Sequence, residues 1–145
     1  MTTKTTRFEV AVQCVIKVPL VAIAEAIETF ISTDYSAFWC RYLGVRNEPE
    51  PDAYRELVPG SALEDVDGDA VVPLIKGGSL RFAELVDEEC VTITRYLDME
   101  AIAVALPALS ERCPHAFARL VAGDCDSEDA DLFMQIALLG DIVYG

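Results

Sequence analysis

Residues 126–145, DSEDADLFMQIALLGDIVYG, carry the most complete local logic in the chain. Asp126 or Ser127 can cap a helix, and Glu128, Asp129 and Asp131 crowd a first turn where the helix dipole favours negative charge. Gly140 stands where such a helix should stop. Leu132, Ile136 and Leu139 recur at helical spacing with Phe133 and Ala137 beside them, and Ile142, Val143 and Tyr144 prolong the apolar run. This predicts a capped, half-buried helix with an apolar tail, around which the other elements must pack.

Those other elements read as strands and helices in turn. Residues 7–18 alternate, with Phe8, Val10, Val12, Cys14, Ile16 and Val18 on one face, which predicts a long half-buried strand. Pro19 suits the first turn of a helix in which Leu20, Ile23, Ile27, Phe30 and Ile31 face inward. Residues 34–43 concentrate Tyr35, Phe38, Trp39 and Tyr42 around Arg41, as a helical turn or a broad loop against the sheet. That cluster reads as core packing or as a recognition surface or pocket.

Residues 46–69, rich in Pro, Gly and acids, read as an irregular acidic excursion. Strands are expected over 71–75, 80–86 and 90–96, the first interrupted by Pro73. Asp98 should cap a helix over 99–112 that Pro107 bends or divides. Pro114 should open a short helix closed by Gly123. The sum is an α+β fold: a small antiparallel sheet of about four strands packed against an early helix and a helical C-terminal third. At 145 residues, 52% of them apolar, the chain is read as a single domain over 1–145. No apolar run approaches the roughly 18 to 20 residues of a membrane helix. The polar opening lacks a signal-peptide pattern, so the expected location is the cytoplasm.

The chemistry is sparse. Five cysteines without a CxxC pair argue against a disulfide framework, and Cys125, between Asp124 and Asp126, should have a raised pKa. Asp65, Asp67 and Asp69 begin like a calcium loop, but the glycine falls early and Lys76 stands at the twelfth position. The acids over 124–129 fit helix capping better than chelation. His115 is the only histidine, which excludes His-rich zinc sites and leaves one centre for any histidine catalysis. Without GxSxG, Walker, GxGxxG or HExxH patterns, no catalytic residue, cofactor or metal is assigned. The net charge of −14 argues against direct contact with nucleic acid, with anionic membranes and with phosphate-rich ligands bound without metal, and favours basic partners. Six acids and no Lys or Arg follow Arg119. Asp126, Glu128, Asp129 and Asp131 are therefore the expected interaction surface.

The last fifty residues resemble a group of small uncharacterised proteins carried by bacteriophages, plasmids and integrated elements of bacteria. The resemblance is carried by His115 and Phe117 in PHAF, Asp124, the run Ala130, Asp131, Leu132 and Phe133, Gln135, and the ending GDIVYG. Trp39 and the Leu97–Asp98 pair extend it, whereas the excursion at 46–69 is not part of the pattern. It implies an accessory protein of a mobile element in a bacterial host, and no activity. The expected function is a non-enzymatic interaction protein whose acidic surface engages a basic host protein, in one version to inhibit a defence system. A second copy of the chain is a further candidate partner. The alternative is a nucleotide-like ligand bound beside residues 35–42, with Arg41, Arg81 and Arg95 supplying positive charge; a hydrolase using His115 ranks last.

Overall fold

The computed structural model describes residues 9–32, 39–46, 74, 77–86 and 92–145. Its elements run α1 (Leu20–Ser32), β1 (Cys40–Arg46), β2 (Ser79–Leu85), β3 (Thr92–Leu97), α2 (Met99–Arg112), α3 (Pro114–Ala122) and α4 (Ser127–Leu139). The expected acidic excursion beyond Arg46, the 71–75 strand apart from the buried Leu74, Tyr35 and Phe38 lie outside the described residues.

The fold is α+β, and among the described residues the sheet has three antiparallel strands in the order β1-β2-β3, against the expected four or so. Leu80, Phe82 and Glu84 of β2 point to one face, where Leu97, Arg95 and Ile93 of β3 and Val45, Tyr42 and Cys40 of β1 stand opposite them. The helices gather on this face. Phe30 of α1 meets Phe82 edge-on at 5.9 Å and Trp39 at 5.6 Å between ring centroids, an arrangement suited to the ring quadrupoles. The α4 helix is the hub, packing against α1, α2, α3 and β3. Phe133, Met134 and Ala130 are fully buried at that junction with Ile27, Ile102, Leu109 and Leu120.

The helix boundaries follow local chemistry. Asp98 accepts from the Ala101 amide at 2.7 Å, Gly123 and Gly140 close α3 and α4 in the left-handed region, and α2 continues through Pro107 undivided.

Two expectations about strands are corrected. Residues 9–18 form no strand: Val10, Val12 and Val15 are 85, 78 and 91% exposed, and only the end of the segment approaches the helices. Alternation supplies a strand with a face but not with a partner, and stability resides in cross-strand pairs. The aromatic stretch supplies a strand instead, since Cys40–Arg46 pairs along β2. No helix among the described residues is long and apolar enough to cross a membrane.

Candidate functional site

The acids of α4 do structural work at close range. Asp126 caps the helix by accepting from the Asp129 amide at 2.8 Å, and the Asp129 carboxylate in turn accepts from the Asp126 amide at 3.2 Å. Asp129, only 2% exposed, also takes both Nε and a terminal nitrogen of Arg119 at 2.7 and 2.6 Å. The Arg119 guanidinium and the Asp126 amide hold its carboxyl below the usual range despite burial. Asp131 accepts from the indole of Trp39 and from Gln135, each at 2.8 Å. Of the four acids read as an interaction surface, Asp129 and Asp131 are thus turned into internal bonds, Asp126 is an exposed cap, and Glu128 is exposed. Charge along the chain could not reveal this, because Arg119 and Trp39 come from other elements.

The aromatic cluster divides across the sheet. Trp39, 2% exposed, and Tyr42, packed at 5.2 Å on Phe82, belong to the core side. Arg41 is exposed on the other face. A pocket lined jointly by Trp39, Arg41 and Tyr42 is therefore not formed. Arg95 is also separated from Arg41, being bound to the buried Glu84 at 2.9 Å on the inner face.

What Trp39 does join is a clasp on the chain ending. Gln135 is fully buried and uses every part of its amide: the NH2 group donates to Asp131 and to the Tyr144 carbonyl at 2.8 and 2.9 Å. Its oxygen accepts from the Val143 and Tyr144 amides at 2.9 and 2.8 Å. The Tyr144 ring stacks on Trp39 at 5.3 Å with an interplanar angle of 12°, and its hydroxyl donates to Glu84 at 2.6 Å. Asp141 pairs with Arg112 and accepts from the Ile142 amide at 2.7 Å. Trp39, Asp131, Gln135 and the GDIVYG ending, all named in the sequence resemblance, are therefore one interlocked structural unit. Cys40, buried beside Glu84 and Asp131, has its thiol pushed up to about 12 by burial first and by those carboxylates second. Cys125 reaches a similar value through burial, Asp129 and Asp126. Neither thiol is suited to nucleophilic work near neutral pH.

His115 is exposed on the first turn of α3, and no carboxylate pairs with it among the described residues. An open, mainly apolar cleft of about 340 Å³ lies between the 14–18 segment and the helices, lined by Cys14, Ile16, Pro107 and Phe117 among others. It holds no charged side chain that could orient a polar substrate.

These features define an α+β protein with a tightly clasped chain ending and no assembled catalytic constellation among its described residues. No family model, curated protein or solved structure matches the chain.

Proposed function

We propose that this is a non-enzymatic interaction protein whose acidic helical side engages a basic partner. The supporting observation is the charge of the helical third. Residues 98–145 hold nine acids against Arg112 and Arg119 alone, and both arginines are already paired, with Asp141 and Asp129. Glu100, Glu111, Asp124 and Glu128 are exposed among these residues, so the helical third offers negative charge with little internal compensation. In the setting implied by the resemblance, an accessory protein of a phage or mobile element, the partner is a basic host protein. A nucleic-acid-binding component of a host defence system has the required charge.

The test is recovery of partners from bacterial lysate by the parent and by the variant E100Q/E111Q/D124N/E128Q, which leaves the buried Asp129 and Asp131 intact. A basic protein retained by the parent at low salt, released at high salt and lost in the variant is the expected result. Equal retention by the variant removes the reading. Because Glu100 and Glu128 also complement helix N-termini, urea midpoints are compared alongside.

A further inference from the structure

The opposite side of the sheet carries the reverse charge. Ser79, Arg81, Ala83 and Leu85 of β2 face away from the helices, beside Tyr96, Thr94 and Thr92 of β3 and Arg46, Gly44 and Arg41 of β1. Among the described residues this outer face holds three arginines and no acid. Among the described residues no carboxylate pairs with Arg41, Arg46 or Arg81, whereas Arg95, Arg112 and Arg119 each hold one.

The face owes its composition to a β-bulge. Arg41 and Arg46 are five residues apart, an odd separation that a regular strand would send to opposite faces. The register shift between Tyr42 and Gly44 leaves Leu43 as the extra residue, so that Arg41 opposite Ala83 and Arg46 opposite Ser79 share one side. Gly44 takes a φ of 107° at that point and stands directly opposite Arg81, with open space where a side chain would project. Arg46 reaches across β2 to lie 5.1 Å from the centre of the Tyr96 ring. Arg81, in the row between them, has its Nε buried without a hydrogen-bond partner. A buried donor without a partner is unfavourable, and an acceptor that reaches it relieves that cost.

We propose that this outer sheet face binds a nucleoside polyphosphate, its phosphates on Arg41, Arg81 and Arg46 around Gly44 and its base against the Arg46–Tyr96 pair. Three guanidinium groups supply the forked donors that phosphate oxygens accept, and the half-exposed Tyr96 ring adds a flat surface for a heterocycle. The charge of the molecule selects a small ligand over a polymer. The net charge of −14 opposes phosphates in general and a polymer most, since phosphates beyond the three arginines meet a negative protein and at physiological salt charges are largely screened only beyond about 8 Å. This inference does not depend on the acidic helical side.

The test is equilibrium dialysis at about 150 mM salt with metal-free ATP, AMP, inorganic phosphate and an oligothymidylate of about eight nucleotides. The expected order is ATP tighter than AMP, and AMP tighter than phosphate. R41Q/R46Q, which changes two exposed side chains, should weaken ATP at least about tenfold while the Trp39 unfolding curve stays in place. Tyr96→Leu should narrow the difference between AMP and phosphate. The proposal is overturned by absence of saturable ATP binding, by unchanged affinity in R41Q/R46Q, by phosphate binding as tightly as ATP, or by the oligonucleotide binding more tightly than ATP.

Discussion

Replacing Gln135 by Met tests whether the clasp holds the chain ending by hydrogen bonding rather than by apolar contact alone. Methionine keeps the length and most of the volume of a fully buried side chain but removes four hydrogen bonds. If residues 142–145 stay docked, two backbone amides, a carbonyl and one oxygen of Asp131 lose their partner. At about 1 kcal/mol net per bond the loss is about 4 kcal/mol. The tail can instead detach and return its backbone to water. The loss is then the docking energy of the tail: three bonds to Gln135 at about 3 kcal/mol in all, stacking of Tyr144 on Trp39 and its bond to Glu84 at about 1 kcal/mol each, and partial burial of Ile142 and Tyr144 at about 1 to 2 kcal/mol, less about 3 kcal/mol for ordering the backbone of residues 142–144. Both routes converge on about 3 to 4 kcal/mol, a fall in Tm of about 10 °C for a chain of this size.

Urea unfolding followed through Trp39, the only tryptophan, measures the change directly. Removal of residues 142–145 should cost a similar amount, and the combined variant little more than either, because both act on one contact. A Gln135→Met stability within about 0.5 kcal/mol of the parent, or full additivity of the two changes, refutes the argument.

Three further outcomes follow from the same geometry. Tyr144, whose hydroxyl donates to Glu84, has its pKa raised in the folded state, so the folded protein holds that proton more tightly than the unfolded chain. The resulting stability is complete below about pH 10 and lost as pH rises through the folded value; Tyr144→Phe should flatten alkaline unfolding curves. Asp129 works with the opposite sign. Its lowered pKa gives stability that is present above about pH 4 and lost as pH falls through the folded value, so Asp129→Asn should reduce the slope of acid unfolding. Alkylation at pH 8 read by peptide mass spectrometry should modify the exposed Cys14 well before Cys40 and Cys125, whose thiols are pushed up to about 12; equal rates contradict the burial and charge assigned to them.

The helical part was legible because its signals are local. Asp98, Asp126, Gly123 and Gly140 mark helix ends within a turn of the residues they cap, and the structure uses each of them. Sheet signals failed where partners mattered. Residues 9–18 have the alternation of a strand and no ladder, whereas Cys40–Arg46 has a broken alternation and a full one. The acids of α4 were visible as a cluster, but the sequence does not bring Arg119 to Asp129 or Trp39 to Asp131, and those contacts separate a fold-holding acid from a free one. Gln135 gave only the signal of a polar residue within an apolar run, next to Met134 and Ile136. Its partners, the Val143 and Tyr144 amides, lie past the helix-ending Gly140 and become reachable only when the chain turns back.

The bulge in β1 gives the arginine face its most discriminating test, because two single-residue deletions predict opposite results. Removing Leu43 makes Tyr42 and Gly44 consecutive, opposite the consecutive Phe82 and Arg81, so the ladder becomes regular and every other side chain keeps its face. Leu43 is 43% exposed, and its loss should change stability by no more than about 1 kcal/mol and leave Arg41, Arg46 and Arg81 together. Removing Val45 shifts Arg46 into the position opposite Leu80, which is fully buried, and directs a guanidinium toward the core. An uncompensated charge there should cost more than about 3 kcal/mol. Urea midpoints of the two deletions separate the cases. Equal damage from both would mean that the strand tolerates neither change of length and that Leu43 is not the inserted residue. Tolerance of the Leu43 deletion alone establishes that the bulge absorbs an extra residue while holding two odd-spaced arginines on one side, an arrangement that core packing alone does not require.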